Sequence, residues 1–385
     1  MMRDTAPVLT GVGTSNFGKQ DYSAEELVVQ AVTEALEAAH VAATDLDAIY
    51  LGTVFSHPGT AHRALRAAGI TGVPIVTVEN ACASGTLAMH LGAESVRQGV
   101  HETVLAVGVE KMTNWIKGPI PPDPYDIDAL SGLILPGLYA MSASRYQHLY
   151  GVTPEDLAWI SVKNHRNAID NPRAQYRGEY TIDEVLESKP IADPLTILQC
   201  SPISDGAGAA VIQARGVTSA DTSRVEILAS VLESGEWWPS LDRADDRVWN
   251  AELIARTTER VLRESQVSVD EVDVVEVHDA FTIGEIITIE AMGLCPTGEG
   301  AAFSREGHTS RGGRLPVNPS GGLLSRGHPL GATGLAQLAE LYWQLTGQAG
   351  QRQVPGAQTA LLETMGGSVS GLSGHGCVVA ALRTL

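Results

Sequence analysis

Short, continuously apolar runs alternate along this chain with longer stretches whose apolar residues recur every three or four positions. The run 7–12 is mostly apolar and bounded by glycines, the mark of a buried strand. Over 24–40, Leu27, Val28, Ala31, Val32, Ala35, Leu36 and Ala39 keep helical spacing. Strands are then expected at 48–54, 75–78 and 104–109, with a helix of small residues at 85–99. Buried strands alternating with helices predict an α/β fold with a largely covered sheet.

The character changes over 113–197, where Pro119, Pro121, Pro122, Pro124 and Pro136 sit among aromatics and polar helical stretches such as 154–170. This reads as an insertion packed over a site. Strand composition returns at 207–213. The second half then repeats the theme, with strands at 225–229, 272–277 and 378–382 and helices at 248–266, 281–292 and 332–345. The expected organisation is an N-terminal half (1–113 with 198–218), an insertion (114–197) and a C-terminal half (219–385), with a ligand site where the halves meet.

Composition narrows the partners. Hydrophobic residues make up 44% and aromatics only 5%, so the core must be built from Ala, Val, Leu and Ile. A net charge of -19 argues against nucleic acid, which needs clustered Lys and Arg, and weakly against an anionic membrane surface. The run 242–247 reads as a solvated charged face. No apolar run reaches transmembrane length, and the start lacks a secretory segment. Cys82, Cys200, Cys295 and Cys377 lie far apart without a Cys-x-x-Cys pair, which fits a reducing cytoplasm better than a disulfide framework or zinc site.

Three segments carry chemistry. In Asn80-Ala81-Cys82-Ala83-Ser84-Gly85 a cysteine stands between a strand and a helix, where helix N-terminal amides lower a thiol pKa and can hold an oxyanion. The glycine-rich run 318–334 leads into a helix near Ala332 and places His328 just before it, able to take a proton from a thiol. In Glu276-Val277-His278-Asp279-Ala280-Phe281 a histidine again ends an apolar strand; it can donate to a developing enolate or oxyanion, and Asp279 is positioned to cap the helix that follows. His57 and Tyr125 read as surface or packing residues. Nothing resembles a phosphate loop, metal cluster or dinucleotide turn, so no cofactor is expected.

Together these segments resemble the thiolases, most closely the sterol-carrier-protein-type branch, which carries His-Asp where other thiolases carry Asn-Glu. The resemblance extends over nearly the whole chain, including 204–210 and Gly293-Leu294-Cys295-Pro296. It implies a duplicated five-layer α-β-α-β-α fold with an insertion or loop domain, and a homodimer or dimer of dimers. It implies that Cys82 is the acylated nucleophile, His328 its activator, and His278 the group that holds a water and polarises a thioester oxygen. The amides of Cys82 and Gly366 would form an oxyanion hole. The implied activity is acyl-CoA C-acyltransfer.

The chain also departs from the family pattern. Thiolases use a second cysteine, in a C-terminal Cys-x-Gly or as the third residue of the His-Asp motif. Those positions hold Thr364, in Thr364-Met365-Gly366, and Ala280. Cys377, His375 or a partner chain could supply the missing group. The alternative functions are a CoA-thioester aldolase or a subunit that works with a small OB-fold partner.

Overall fold

The structure, a computed structural model, describes residues 4–121, 123–218, 223–237, 250–372 and 374–385. The charged run 242–247 lies outside the described residues. The first half runs β1 (Pro7–Thr14), α1 (Ala24–Ala39), β2 (Ala48–Gly52), α2 (Thr60–Ala67), β3 (Ile75–Val78), α3 (Ser84–Arg97) and β4 (Thr103–Lys111). After β4 come α4 (Ile127–Leu130), α5 (Leu135–Tyr150), α6 (Pro154–Ala168), α7 (Ile182–Leu186) and the hairpin β5 (Pro190–Ala192) with β6 (Leu195–Thr196), before β7 (Asp205–Ala214). The second half is β8 (Val225–Ser234), α8 (Ala251–Ser265), β9 (Val274–Glu276), α9 (Thr282–Ala291), α10 (Gly300–Arg305), α11 (Gly322–Arg326), α12 (Thr333–Leu345), β10 (Thr359–Gly366) and β11 (Gly376–Thr384).

Local signals explain the boundaries. Ser23 and Glu26 cap each other at the start of α1, and His40 ends the helix in the left-handed region at φ 52. The strand expected over 272–277 forms only at 274–276, and the glycine-rich run is divided by α11 before α12 begins at Thr333.

Nine strands form one sheet in the order β3-β2-β4-β7-β1-β8-β11-β10-β9. From the middle outward the two halves read alike. β1 is followed by antiparallel β7, then β4, β2 and β3; β8 is followed by antiparallel β11, then β10, β9 and a parallel bridge from Val275 to Val317. The halves join where Val8 and Leu9 pair with Glu226 and Val225. The repetition that composition only suggested is therefore explicit in the strand order.

Strand alternation gives the two faces of the sheet three large apolar clusters among those of the described residues. Ala106 of β4 and Leu362 of β10 point inward to Met89 of α3 and to Leu335 and Leu338 of α12. Leu105 and Val107 point the other way, to Leu27, Val28 and Ala31 of α1. Leu361 of β10 and Val379 of β11 meet Leu253 and Val261 of α8. Helix, sheet, helix pair, sheet, helix: these are the five layers of the expected thiolase-like α/β fold. Because both faces of each half-sheet are covered, its strands are apolar throughout rather than alternating.

The central helices approach closely. A Cβ on Gly334 of α12 would lie 2.5 Å from the backbone nitrogen of Thr86 in α3, and one on Gly85 would lie 2.6 Å from the carbonyl oxygen of Gly331. Only glycine lets the N-terminal ends of these two helices meet, and both functional loops enter there. From the insertion, α6 lays Lys163, Asn164, His165 and Asn167 against the glycine-rich run. Asn167 and Asn171 donate to the carbonyls of Asn318 and Ser320.

Candidate active site

Cys82 sits in the turn from β3 to α3. Ala81 adopts a positive φ of 46°, the Ser84 hydroxyl donates to the Ala81 carbonyl (2.6 Å), and the Asn80 amide donates to Ser84 (2.8 Å). This tight turn presents the thiol at the end of the helix while keeping it buried, with Met112, Ile116 and Leu330 around it. The backbone N–H of Gly367 acts on the sulfur in the sense that favours its thiolate.

His328 is fixed from two sides. Its amide donates to the Ser204 hydroxyl (2.9 Å), and its Nδ1 lies 2.7 Å from the Thr333 hydroxyl. The Thr333 hydroxyl also lies 3.0 Å from the Pro329 carbonyl, and when it gives its proton there its oxygen accepts from Nδ1–H. Nε2 of His328 is thereby left as the free lone pair, the tautomer a general base requires. His278 follows β9, and its amide donates to the buried Glu363 carboxyl (2.9 Å). Both of its buried ring nitrogens lack a hydrogen-bond partner.

The topology brings the three expected residues together. Cys82 Sγ and a ring nitrogen from each histidine all lie within 4.8 Å of one another, and the imidazoles stand edge to face with centroids 5.2 Å apart. Each loop follows a strand and enters the gap between the sheets, so residues almost 250 positions apart in sequence converge on one point. By donor type these same three residues could hold a metal ion.

Burial dominates the electrostatics. It pushes the Cys82 thiol up to about 12, outweighing the amides of Gly367 and Cys82 itself, with Glu110 and Glu79 adding to the rise. The expectation that the helix terminus would lower this thiol is therefore corrected: the loss of water is the larger effect. Burial lowers His278 to about 3 and, with the neighbouring His278 and Arg326, sets His328 well below the ordinary histidine range. At neutral pH the resting pair is a thiol and a neutral imidazole.

The structure adjusts several positions. Gly366, the expected oxyanion-hole residue, ends β10 paired with Gly376, and the amide of Gly367 next to it acts on the Cys82 sulfur. The chain leaves the strand just after Gly366, so the first amide free to turn toward the thiol is one residue later. Thr364 bonds to Gln337 of α12 (2.7 Å). Asp279 does not cap α9; it accepts from the Leu323 amide (2.7 Å) and so anchors α11 instead. Cys377 packs in the outer apolar cluster with its sulfur 3.7 Å from Glu363, behind His278. His375 is half-buried beside Gly367. His57 and Tyr125 are exposed, Tyr125 at 93%.

Two carboxyls escaped sequence reading. Glu110 closes β4 and accepts from the amides of Val54 (2.9 Å), Phe55 (3.0 Å) and Gly331 (3.1 Å), tying the loop after β2 to the loop that carries His328. Burial raises both Glu110 and Glu363 to about 7. The available signal was a lone glutamate at the end of, or within, an otherwise apolar run.

Comparison with known proteins bears on this geometry. Residues 6–216 match the model of the thiolase N-terminal domain, and residues 237–375 match that of the thiolase C-terminal domain-like family. The chain belongs to the thiolase family. An acetyl-CoA acetyltransferase of Methanothermobacter thermautotrophicus is 41% identical to this thiolase, over 95% of this chain and 97% of its own. Human sterol carrier protein 2 is 37% identical over 93% of this chain and 69% of its own. The benzoylsuccinyl-CoA thiolase subunit BbsB of Thauera aromatica is 37% identical over 93% and 94%. A solved structure titled Ltp2-ChsH2(DUF35) aldolase shares the fold, with a TM-score of 0.83 at 22% identity over 100% of this chain and 99% of that one. This thiolase is an acyl-CoA acyltransferase, as the sequence resemblance implied. Among the described residues, no helix is long and apolar enough to cross a membrane.

Proposed function

We propose that this thiolase forms or cleaves a carbon–carbon bond through an acyl group carried on Cys82. The convergence of Cys82, His278 and His328 within 4.8 Å carries the reading. As the Cys82 sulfur attacks the thioester carbonyl, its proton passes to Nε2 of His328, and the carbonyl oxygen takes up negative charge. The amides of Cys82 and Gly367 would hold that oxygen. Collapse expels coenzyme A as its thiol, the proton returning from His328. Because thiol and imidazole both rest neutral, proton transfer accompanies attack, and no resting thiolate is stored. His278, with its unpartnered ring nitrogens, would polarise the thioester oxygen of the second substrate, directly or through a water. No cofactor is needed for these steps.

The wall around Cys82, made of Met112, Ile116 and Leu330 with Phe55 and Ile203 beside it, suits an apolar acyl group. The relatives act on acetyl-CoA and benzoylsuccinyl-CoA by name; a small apolar or an aromatic acyl unit follows for this chain. The exposed edge of β3, with Val76 at 44%, supports a homodimer formed by sheet extension, and four unpaired cysteines accord with a cytoplasmic setting.

A second reading is favoured by one observation: neither Ala280 nor Thr364 offers a thiol, and Cys377 faces away into the outer cluster. The carbon acid/base would then come from a partner such as a small OB-fold subunit, or the chain would act as a CoA-thioester aldolase. Intact-mass measurement after incubation with acetyl-CoA and longer acyl-CoAs decides. An adduct absent from Cys82→Ala supports acyl transfer; no adduct from any donor in a folded, CoA-binding protein favours the second reading.

A further inference from the structure

In the resting protein His278 is a buried imidazole with neither nitrogen hydrogen-bonded. A buried polar ring ordinarily finds a partner, because leaving one unmade costs free energy. Among the described residues, a thiol and an imidazole whose far nitrogen is already held by Thr333 converge on it. One sulfur and two neutral nitrogens, one oriented by a hydrogen bond to its opposite nitrogen, form the donor set of a three-ligand zinc site with an open fourth position.

The geometry points to a reversible zinc(II) site formed by Cys82, His278 and His328, whose occupation excludes the acyl-CoA substrate. Zinc bond lengths of about 2.0–2.3 Å need donor atoms roughly 3.5 Å apart, so the three side chains must close by about an ångström. The free ring of His278 allows that movement. Binding is a substitution without redox change: the Cys82 S–H bond breaks, an S–Zn bond forms, the proton leaves to solvent, and two imidazole nitrogens replace waters of the aqueous ion. Zinc suits this set because thiolate and imidazole are its preferred donors, whereas magnesium and calcium require oxygen. The metal here is a competitor of the thioester, distinct from any resident cofactor. Its inhibitory consequence rests on the Cys82 acyl-enzyme reading; its binding does not.

The test uses the full chain in chelator-free buffer with cobalt(II) as the visible probe. One equivalent should give the intense visible bands of tetrahedral cobalt and a sulfur-to-cobalt charge-transfer band, both bleached by zinc. The bands should vanish in Cys82→Ala and in His278→Ala, with circular dichroism confirming that each is folded. In the wild-type chain, zinc should slow carbamidomethylation of Cys82 about tenfold while leaving Cys200 unchanged, read by peptide mass spectrometry. No tetrahedral bands in wild type, bands that survive both substitutions, or an unaltered Cys82 alkylation rate would each overturn the proposal. Acyl-adduct formation by metal-free protein is a separate readout. An adduct without cobalt bands removes only the zinc site; bands without an adduct remove only the acyl-enzyme reading.

Discussion

Thr333→Val is the sharpest probe of how His328 is kept in its working form. The change is nearly isosteric and leaves every backbone atom of the glycine-rich loop in place, but it deletes the oxygen 2.7 Å from Nδ1. A buried N–H stripped of its acceptor costs about 1–3 kcal/mol. The imidazole escapes part of that cost by moving its proton to Nε2, the nitrogen that should receive the thiol proton. Every molecule in that tautomer is inactive as a base. A shift of about 1.4 kcal/mol in tautomer preference or orientation gives about a tenfold fall in the rate of Cys82 acylation. Rapid-quench mixing with acetyl-CoA, read by intact mass, measures that rate without needing the acceptor. Thr333→Ser keeps the hydroxyl and should acylate near the wild-type rate. A folded Thr333→Val protein acylating as fast as wild type would refute the tautomer argument.

Other expectations follow from the same geometry. Because burial holds the Cys82 thiol near 12, its alkylation by iodoacetamide should climb about tenfold per pH unit from 7 to 10 with no plateau, whereas the urea-unfolded chain should level off near the ordinary thiol value of about 8.5. Glu363, raised to about 7 in the fold, binds its proton more tightly there than in the unfolded chain, so its contribution to stability is fully present below about 4.5 and is lost as pH rises through 7. That loss has an upper bound of about 3 kcal/mol. Glu363→Gln keeps an oxygen for the His278 amide, and thermal melts from pH 5 to 8 should show a shallower fall in Tm than wild type. Gly334→Ala drives a methyl to 2.5 Å from the Thr86 nitrogen and should cost at least 1–3 kcal/mol, seen as a lower urea midpoint.

Much of this was legible in the chain, for physical reasons that differ by segment. β1, β4 and β7 read as strands because both faces are buried, and α1 read as a helix because only one face is. β10 went unread: Ala-Leu-Leu-Glu has helical composition, and only pairing with β9 and β11 makes it a strand. The helix after Pro136 was not assigned, although a proline in the first turn is a helix start, and α5 begins at Leu135. Cys82, His278 and His328 were marked by glycines and strand ends around them. Their supports were harder to read: a lone glutamate in an apolar run marks Glu110 and Glu363, but their partners, like that of Ser204, lie across long sequence separations.

The two halves are copies in strand order, but each has kept a different reagent. The loop ahead of α3 supplies the sulfur; the matching loop ahead of α12 supplies the imidazole that accepts its proton. Neither copy could react alone, because an isolated first half would lack any base beside Cys82 and an isolated second half would lack a nucleophile. Co-expressed as separate polypeptides cut between β7 and β8, they should regain chemistry only on reassociation. The interdependence makes loss of either loop fatal to turnover.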